Sequence, residues 1–202
     1  MEKDVDKRIL KAALEVVSKE KISGTRMHII AKEANMSQAN LHYHFSTKND
    51  IMVALLNSIQ EEFSKGRKNY IDTEAKTVTE NIQGFFEQKK DDILINKKME
   101  YAQIDYWVQG TVNEEIRTIF QNTFNIWRKS IEETFSKEEQ EGIDDKTMKN
   151  IPFVMVSLML GASLQYLIDE GKFDLDDYFQ VAEEMILTAC NKTKQNKIIS
   201  LQ

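Results

Sequence analysis

Apolar residues recur along this chain with the period of an α-helix almost from its start. Ile9, Leu10, Ala13, Leu14 and Val17 keep helical spacing and stop before Lys21-Ile22-Ser23-Gly24, which reads as a loop. Met27, Ile30, Ala31 and Ala34 form the inward face of a short helix over about 26–33, with Thr25 placed to cap it. A break at Asn35-Met36 follows, and Ser37 caps another short helix reaching about His44. A further helix opens near Thr47-Lys48-Asn49-Asp50 and continues through Ile51, Leu55, Ile59 and Phe63. Two short helices a few residues apart, behind a longer support helix, form the helix-turn-helix pattern.

Downstream, the spacing predicts helices over about 76–90, 97–107, 113–137, 147–169 and 175–193. Breaks are expected at Asp91-Asp92, at Gln109-Gly110-Thr111, across Glu141 to Asp145 and at Glu170-Gly171-Lys172, and the tail from Lys192 is expected to fray. The chain therefore reads as all-α: a three-helix head, residues 1–50, on a C-terminal helical bundle, residues 51–202, with about nine helices in total. One proline and seven glycines in 202 residues agree with that helix content.

Nineteen residues from Asn150 to Ile168 carry no charge, a length that could span a bilayer. Asn150, Pro152, Ser157, Ser163, Gln165 and Tyr166 dilute the stretch, and Ser157 and Gly161, four apart, offer close approach to a neighbour. A buried bundle helix at a subunit interface is expected there, and no membrane association. The lone cysteine, Cys190, can form no intrachain disulfide and suits a reducing compartment. The first residues contain no apolar run of the signal-peptide type, so the expected location is cytoplasmic.

The net charge of −6 argues against a nucleic-acid binder until it is divided along the chain. Residues 1–50 hold 9 Lys+Arg against 7 Asp+Glu, while the remainder holds 18 against 26. Within 21–48 only Glu33 opposes Lys21, Arg26, Lys32 and Lys48, and all three histidines fall in the same window. A small cationic head on an acidic body suits contact with DNA, although many surfaces are unevenly charged without function.

The chemistry is concentrated between Thr25 and Phe45. The second short helix offers a polar outer row, Gln38, Asn40 and His42, over an inner anchor, Leu41. Gln and Asn each donate and accept toward an adenine edge, and the Ala39 methyl suits a thymine methyl. Thr25 and Ser37 at helix starts suit phosphates, and Tyr43, His44 and Lys48 lie where a second set of backbone contacts would form. The plainer alternatives are that Gln38 and Asn40 are surface polars and that Tyr43 and His44 are packing residues. An enzyme is the competing class. It lacks support: no glycine-rich phosphate loop is present, Cys190 has no histidine near it in sequence, and His42 and His44, two apart on a helix, point to different faces. No metal and no cofactor are expected.

The stretch from Arg8 to Leu55 resembles the DNA-binding head of the tetracycline-repressor (TetR/AcrR) family of bacterial transcriptional regulators. The resemblance is carried by Arg8-Ile9-Leu10, Ala12-Ala13, Thr25, Ile30-Ala31, Ala34 and, most specifically, the block from Ser37 through Tyr43-His44-Phe45 to Lys48. It implies a homodimer on a palindromic operator in double-stranded DNA, released by a small-molecule effector held in the C-terminal bundle. It further implies base contacts from Gln38, Ala39 and Asn40, and backbone contacts from Thr25, Ser37, His42, Tyr43, His44 and Lys48. Asn35 and Ala39 stand where the family most often has glycine. Asn tolerates the left-handed turn, whereas the Ala39 methyl alters the docking surface.

Two further expectations concern the bundle. Met99, Glu100, Gln103, Trp107, Phe120, Phe124, Trp127, Met155, Met159 and Tyr166 are candidate lining for a cavity that takes an apolar or aromatic compound, with plain core as the alternative. Were Glu100 or Asp105 to face that cavity, a cationic ligand would be favoured. Phe153, Val156, Leu160, Leu164 and Phe179 are the candidate dimer interface, with intrachain core as the alternative. A DNA-binding structural protein with a sealed, ligand-free core is the other reading of the same chain.

Overall fold

The computed structural model of the chain describes residues 2–135 and 143–199, and every regular element among them is helical. In order these are α1 (Glu2–Gly24), α2 (Met27–Glu33), α3 (Gln38–His44), α4 (Lys48–Arg67), α5 (Val78–Ile95), α6 (Lys97–Gly110), α7 (Glu114–Glu132), α8 (Asp145–Ile168) and α9 (Leu175–Ile199). The fold is all-α, with a three-helix helix-turn-helix head followed by a helical bundle. Contacts divide the chain into two compact units, Met1–Ser64 with Asn96–Gln121, and Lys65–Ile95 with Asn122–Gln202.

In the first unit, Ile9, Ala13 and Val17 of α1 are buried with Ile30 of α2, Leu41 of α3 and Ile51, Leu56 and Ile59 of α4. α6 completes this core. Its Tyr106 is fully buried and donates its hydroxyl to the Met52 carbonyl at 2.8 Å, and burial pushes the phenol far above its ordinary pKa. Lys98 of α6 pairs with Glu15 of α1 at 2.6 Å.

The expected loop at residues 21–24 is a single non-helical residue inside α1, Lys21, at φ 60 and ψ 169. That backbone region costs a side-chain-bearing residue about 1–3 kcal/mol. The groups freed around it are taken by side chains: the Ile22 N–H donates to the Asp105 carboxylate, and the Ile22 carbonyl accepts from Lys48 Nζ. Thr25 does not cap α2. Arg26 holds that place in extended conformation without a side-chain bond, while Thr25 is buried and donates its hydroxyl to the Lys21 carbonyl at 2.7 Å. Asn35 does take the left-handed turn, at φ 51.

In the second unit, Phe85, Phe86, Ile131, Met155, Met159, Phe179 and Ile186 share one core, with Phe86 and Phe179 stacked 5.2 Å apart. The connection into α5 is fixed by Asn81, fully buried, whose side chain accepts from the Asp72 N–H and donates to the carbonyls of Asp72, Lys76 and Thr77. α5 does not break at Asp91-Asp92 but continues to Ile95. Partners hold both acids: the Tyr70 hydroxyl donates to Asp91, which pushes the phenol up to about 12, and Gln88 lies 3.4 Å from Asp92. α7 ends at Glu132, short of the expected 137, and much of the predicted break after it lies outside the described residues. Asp144 opens α8 by accepting from the Thr147 N–H at 2.9 Å. α9 continues past the expected end at 193 to Ile199, and the last three residues lie outside the described set.

Among the described residues α8 alone is long and apolar enough to cross a membrane, with 44% of its apolar window buried. Ile151, Met155, Met159 and Ala162 point into the core, which accounts for the inner face of that stretch.

Candidate nucleic-acid interface and ligand cavity

α3 is only seven residues long, and its sequence fixes both its start and its tilt. Ser37, extended at φ −71 and ψ 152, accepts the Asn40 N–H on its hydroxyl at 3.1 Å. Leu41 is the one fully buried side chain of the helix and plugs it into the core of the first unit. Gln38, Ala39, Asn40, His42 and Tyr43 are turned outward and exposed, Tyr43 to 79%. The Gln38 amide lies 3.5 Å from His42 Nε2, and His42 Nδ1 lies 3.1 Å from the Ser46 carbonyl. These contacts order the outer row without covering it.

The candidate backbone contacts fall into three environments. Ser37, His42 and Tyr43 are exposed beside the row. His44 is half-buried and bonds Asp6 of α1 through Nδ1 at 2.8 Å, and the Tyr43 ring meets it edge-on at 5.4 Å. Lys48 is half-buried, with one of its three donors on the Ile22 carbonyl, and burial together with the nearby Arg26 holds its pKa below the ordinary lysine value. Thr25 is fully buried in the chain and stands apart from the exposed set. Arg26 and Lys32, exposed beside these groups, add cations that periodicity alone had not marked as contacts.

The second unit contains a cavity walled by Arg67, Phe85, Gln88, Lys89, Asp92, Trp127, Ile131 and Met159. It is narrow, with a volume of about 10 Å³. Trp127 and Met159 are the expected lining residues that reach it. Met155 belongs to the packed core of the same unit, and Phe124 and Tyr166 pack partly buried against that core. Met99, Glu100, Gln103, Trp107 and Phe120 belong to the first unit. There Gln103 links the Gln60 amide to the Glu100 carboxylate, and Trp107 meets Phe120 edge-on at 6.4 Å. Asp105 is likewise spent on the Ile22 N–H, so neither candidate acid lines this cavity.

Spacing does not reveal the polar wall of the cavity, because charged residues are ordinarily read as solvated. One signal was present: Leu55, Ile59, Phe63 and Arg67 recur every fourth residue, so Arg67 continues the buried stripe of α4.

Of the candidate interface residues, Phe153 and Leu164 are exposed and Leu160 is half-buried. Val156 and Phe179 already lie in the core of the second unit, one face round from the exposed stripe. Ser157 is exposed on that stripe, and a Cβ added at Gly161 would meet nothing within 4 Å. Val154, Ile168, Val181 and Met185 are further exposed apolar side chains on α8 and α9 that the interface prediction omits.

A family model described as bacterial regulatory proteins, tetR family, matches residues 9–55. No curated protein matches the chain. Among solved structures, a TetR transcription regulator from Haloarcula marismortui is similar at 16% identity and TM-score 0.75, over 94% of this chain and 98% of that one. A transcriptional regulator from Rhodococcus sp. Rha1 is similar at 14% identity and TM-score 0.77, over 91% and 96%. A protein from Saccharomonospora viridis, solved in complex with choline, is similar at 21% identity and TM-score 0.78, over 91% and 96%. The matched segment spans the whole of α2, the turn and α3, and the fold is shared over nine-tenths of the chain. The tetR family model thus covers the helix-turn-helix head, residues 9–55, and the all-α fold of the chain is the one seen in these solved transcriptional regulators.

Proposed function

We propose that this regulator is a cytoplasmic, ligand-responsive repressor that binds a palindromic operator as a homodimer and is released by a small apolar or aromatic effector. Residues 1–50 act as the DNA-binding domain, and residues 51–202 carry effector binding and dimerisation. The observation that carries the reading is the exposed row Gln38, Ala39, Asn40, His42 and Tyr43 over the single buried Leu41. Seven residues of helix held by one apolar plug, with every remaining side chain free of the core or tied at its edge, make a surface shaped for a groove.

Binding is tested by anisotropy titration of a duplex selected from a random-sequence pool. Affinity falls steeply as salt rises, because cations such as Lys48, Arg26 and Lys32 displace counterions from phosphates. Gln38→Ala and Asn40→Ala each cost about 1–3 kcal/mol of discrimination against mismatched bases. Equal affinity for the selected and a scrambled duplex rejects the regulator reading, and an Asn40→Ala protein with unchanged discrimination removes Asn40 from the base readers.

The homodimer is supported by the exposed apolar stripe of α8 and α9. Phe153, Leu164, Ile168, Val181 and Met185 are costly to leave wet at roughly 25 cal/mol per Å², and the small residues Ser157 and Gly161 let another helix come close. Sedimentation of the intact chain is expected to give a dimer, and Leu164→Glu to give a folded 23.5 kDa species. A native chain that sediments as monomer at micromolar concentration assigns the stripe to something else. The effector role rests on the cavity of the second unit, and the choline held by the Saccharomonospora viridis protein supports a small organic ligand in this fold.

A further inference from the structure

The wall of the second unit's cavity is not a neutral apolar one. Arg67 is 8% exposed, and its guanidinium lies 5.2 Å over the Trp127 ring. Its Nε donates to the Gln88 side chain at 3.3 Å, and neither Nη makes a hydrogen bond among the described residues. Lys89, 4% exposed, lines the same space, and Asp92 is the one carboxylate in the described wall. The remaining lining side chains, Phe85, Ile131 and Met159, are apolar.

Holding a guanidinium out of water is costly, and a ring face, one neutral amide and the nearby Asp92 charge, which makes no hydrogen bond to it among the described residues, return only part of that cost. A nine-tenths-buried planar fork whose outer pair of donors makes no hydrogen bond among the described residues matches an oxyanion that accepts two parallel N–H bonds. Of carboxylate and phosphate, the carboxylate brings the smaller charge to a wall that already holds Asp92. A body attached to that carboxylate would lie against Trp127, Phe85 and Met159, and the unbranched Met159 can change rotamer to widen a space now narrow.

We infer that the effector is a small organic acid, its carboxylate taken bidentate by Arg67 with Lys89 beside it and its apolar or aromatic body packed against Trp127 and Met159. The inference rests on the reading that this cavity is the effector site. It also sets the ligand's charge opposite to the cation that an acid-lined cavity would have favoured. Burial lowers the Arg67 pKa to about 10, so the group stays charged at neutral pH while bearing a desolvation cost that an incoming anion relieves.

The test uses the full chain carrying Trp107→Phe, which leaves Trp127 as the sole tryptophan. The probes are two matched acid and amide pairs, 4-phenylbutyrate with 4-phenylbutyramide and octanoate with octanamide, together with phenethyltrimethylammonium as the cation. Trp127 fluorescence and thermal shift are read for each. Each acid is expected to bind at least about tenfold more tightly than its amide, and the cation not at all. Arg67→Gln brings the acid down to the level of its amide without changing the amide, and Arg67→Lys, which keeps the charge but loses the fork, falls between. Amides binding as well as acids, or acids indifferent to Arg67→Gln, overturn the assignment. Binding of the cation alone overturns the charge and leaves the cavity reading standing. Failure of every probe, in a protein that still binds its selected duplex, overturns both. Should Arg67→Gln not fold, the acid-to-amide ratio on the unaltered cavity decides.

Discussion

Truncation of Leu41 to alanine is expected to cost about 2–5 kcal/mol of stability in the first unit, the range for deleting a fully buried leucine. Leu41 is 0% exposed and is the only fully buried side chain of α3, so no second apolar anchor shares the loss and only the His44 bond to Asp6 remains at the helix's end. The consequence reaches beyond the melting curve. Ser37 still caps the helix, and Gln38 and Asn40 are untouched, yet the outer row no longer has a fixed height or rotation. Duplex affinity therefore drops together with stability, and amide exchange over Gln38–His44 accelerates more than over α1. A variant that melts and binds like the parent would show that α3 is held by something other than its plug.

Gly84→Ala gives the second large effect, opposite in sign to the ordinary rule. Glycine within a helix is about 1 kcal/mol worse than alanine, so the exchange should stabilise α5. Here the added Cβ would lie 2.4 Å from the Tyr70 carbonyl oxygen and 3.1 Å from the Ile71 Cδ1. The nearest atom is backbone, held in a connection that Asn81 pins with its four hydrogen bonds. Overpacking of this kind costs about 1–3 kcal/mol and sometimes more, so net destabilisation is expected in urea or thermal unfolding. An unchanged or raised midpoint would mean that the 68–77 connection yields easily.

The head was legible because its signals are local. Periodicity set α1 to α4, the Ser37 hydroxyl marked the start of α3, and Asn35 was placed at the turn for its tolerance of positive φ, which it adopts. What escaped the sequence depends on partners far along the chain. Asp91-Asp92 resembles a break because aspartate is a poor helix former, but Tyr70 and Gln88 hydrogen-bond the two carboxylates and α5 runs on. Asp105 resembles a pocket acid until Ile22 is seen to claim it. Arg67, Gln88 and Lys89 resemble solvated surface, and only the fold draws them to Trp127. Val156 and Phe179 show the limit of apolarity as a guide. A helix apolar on most sides does not announce which side meets its own core and which is left for a partner.

The first unit is assembled from two stretches of chain, with Lys65–Ile95 interposed. During synthesis α1 to α4 therefore leave the ribosome before α6 exists. At about 5–20 residues per second the wait for a complete α6 is roughly two to nine seconds. Through that interval the Met52 carbonyl lacks the Tyr106 hydroxyl, Ile22 lacks Asp105 and Glu15 lacks Lys98. The nascent helices stand with an apolar face uncovered until the late segment closes over them. Translation order thus makes α6 and the start of α7 the last pieces of the unit that carries α3, and a ribosome stalled between Ser64 and Lys97 would hold that unit open.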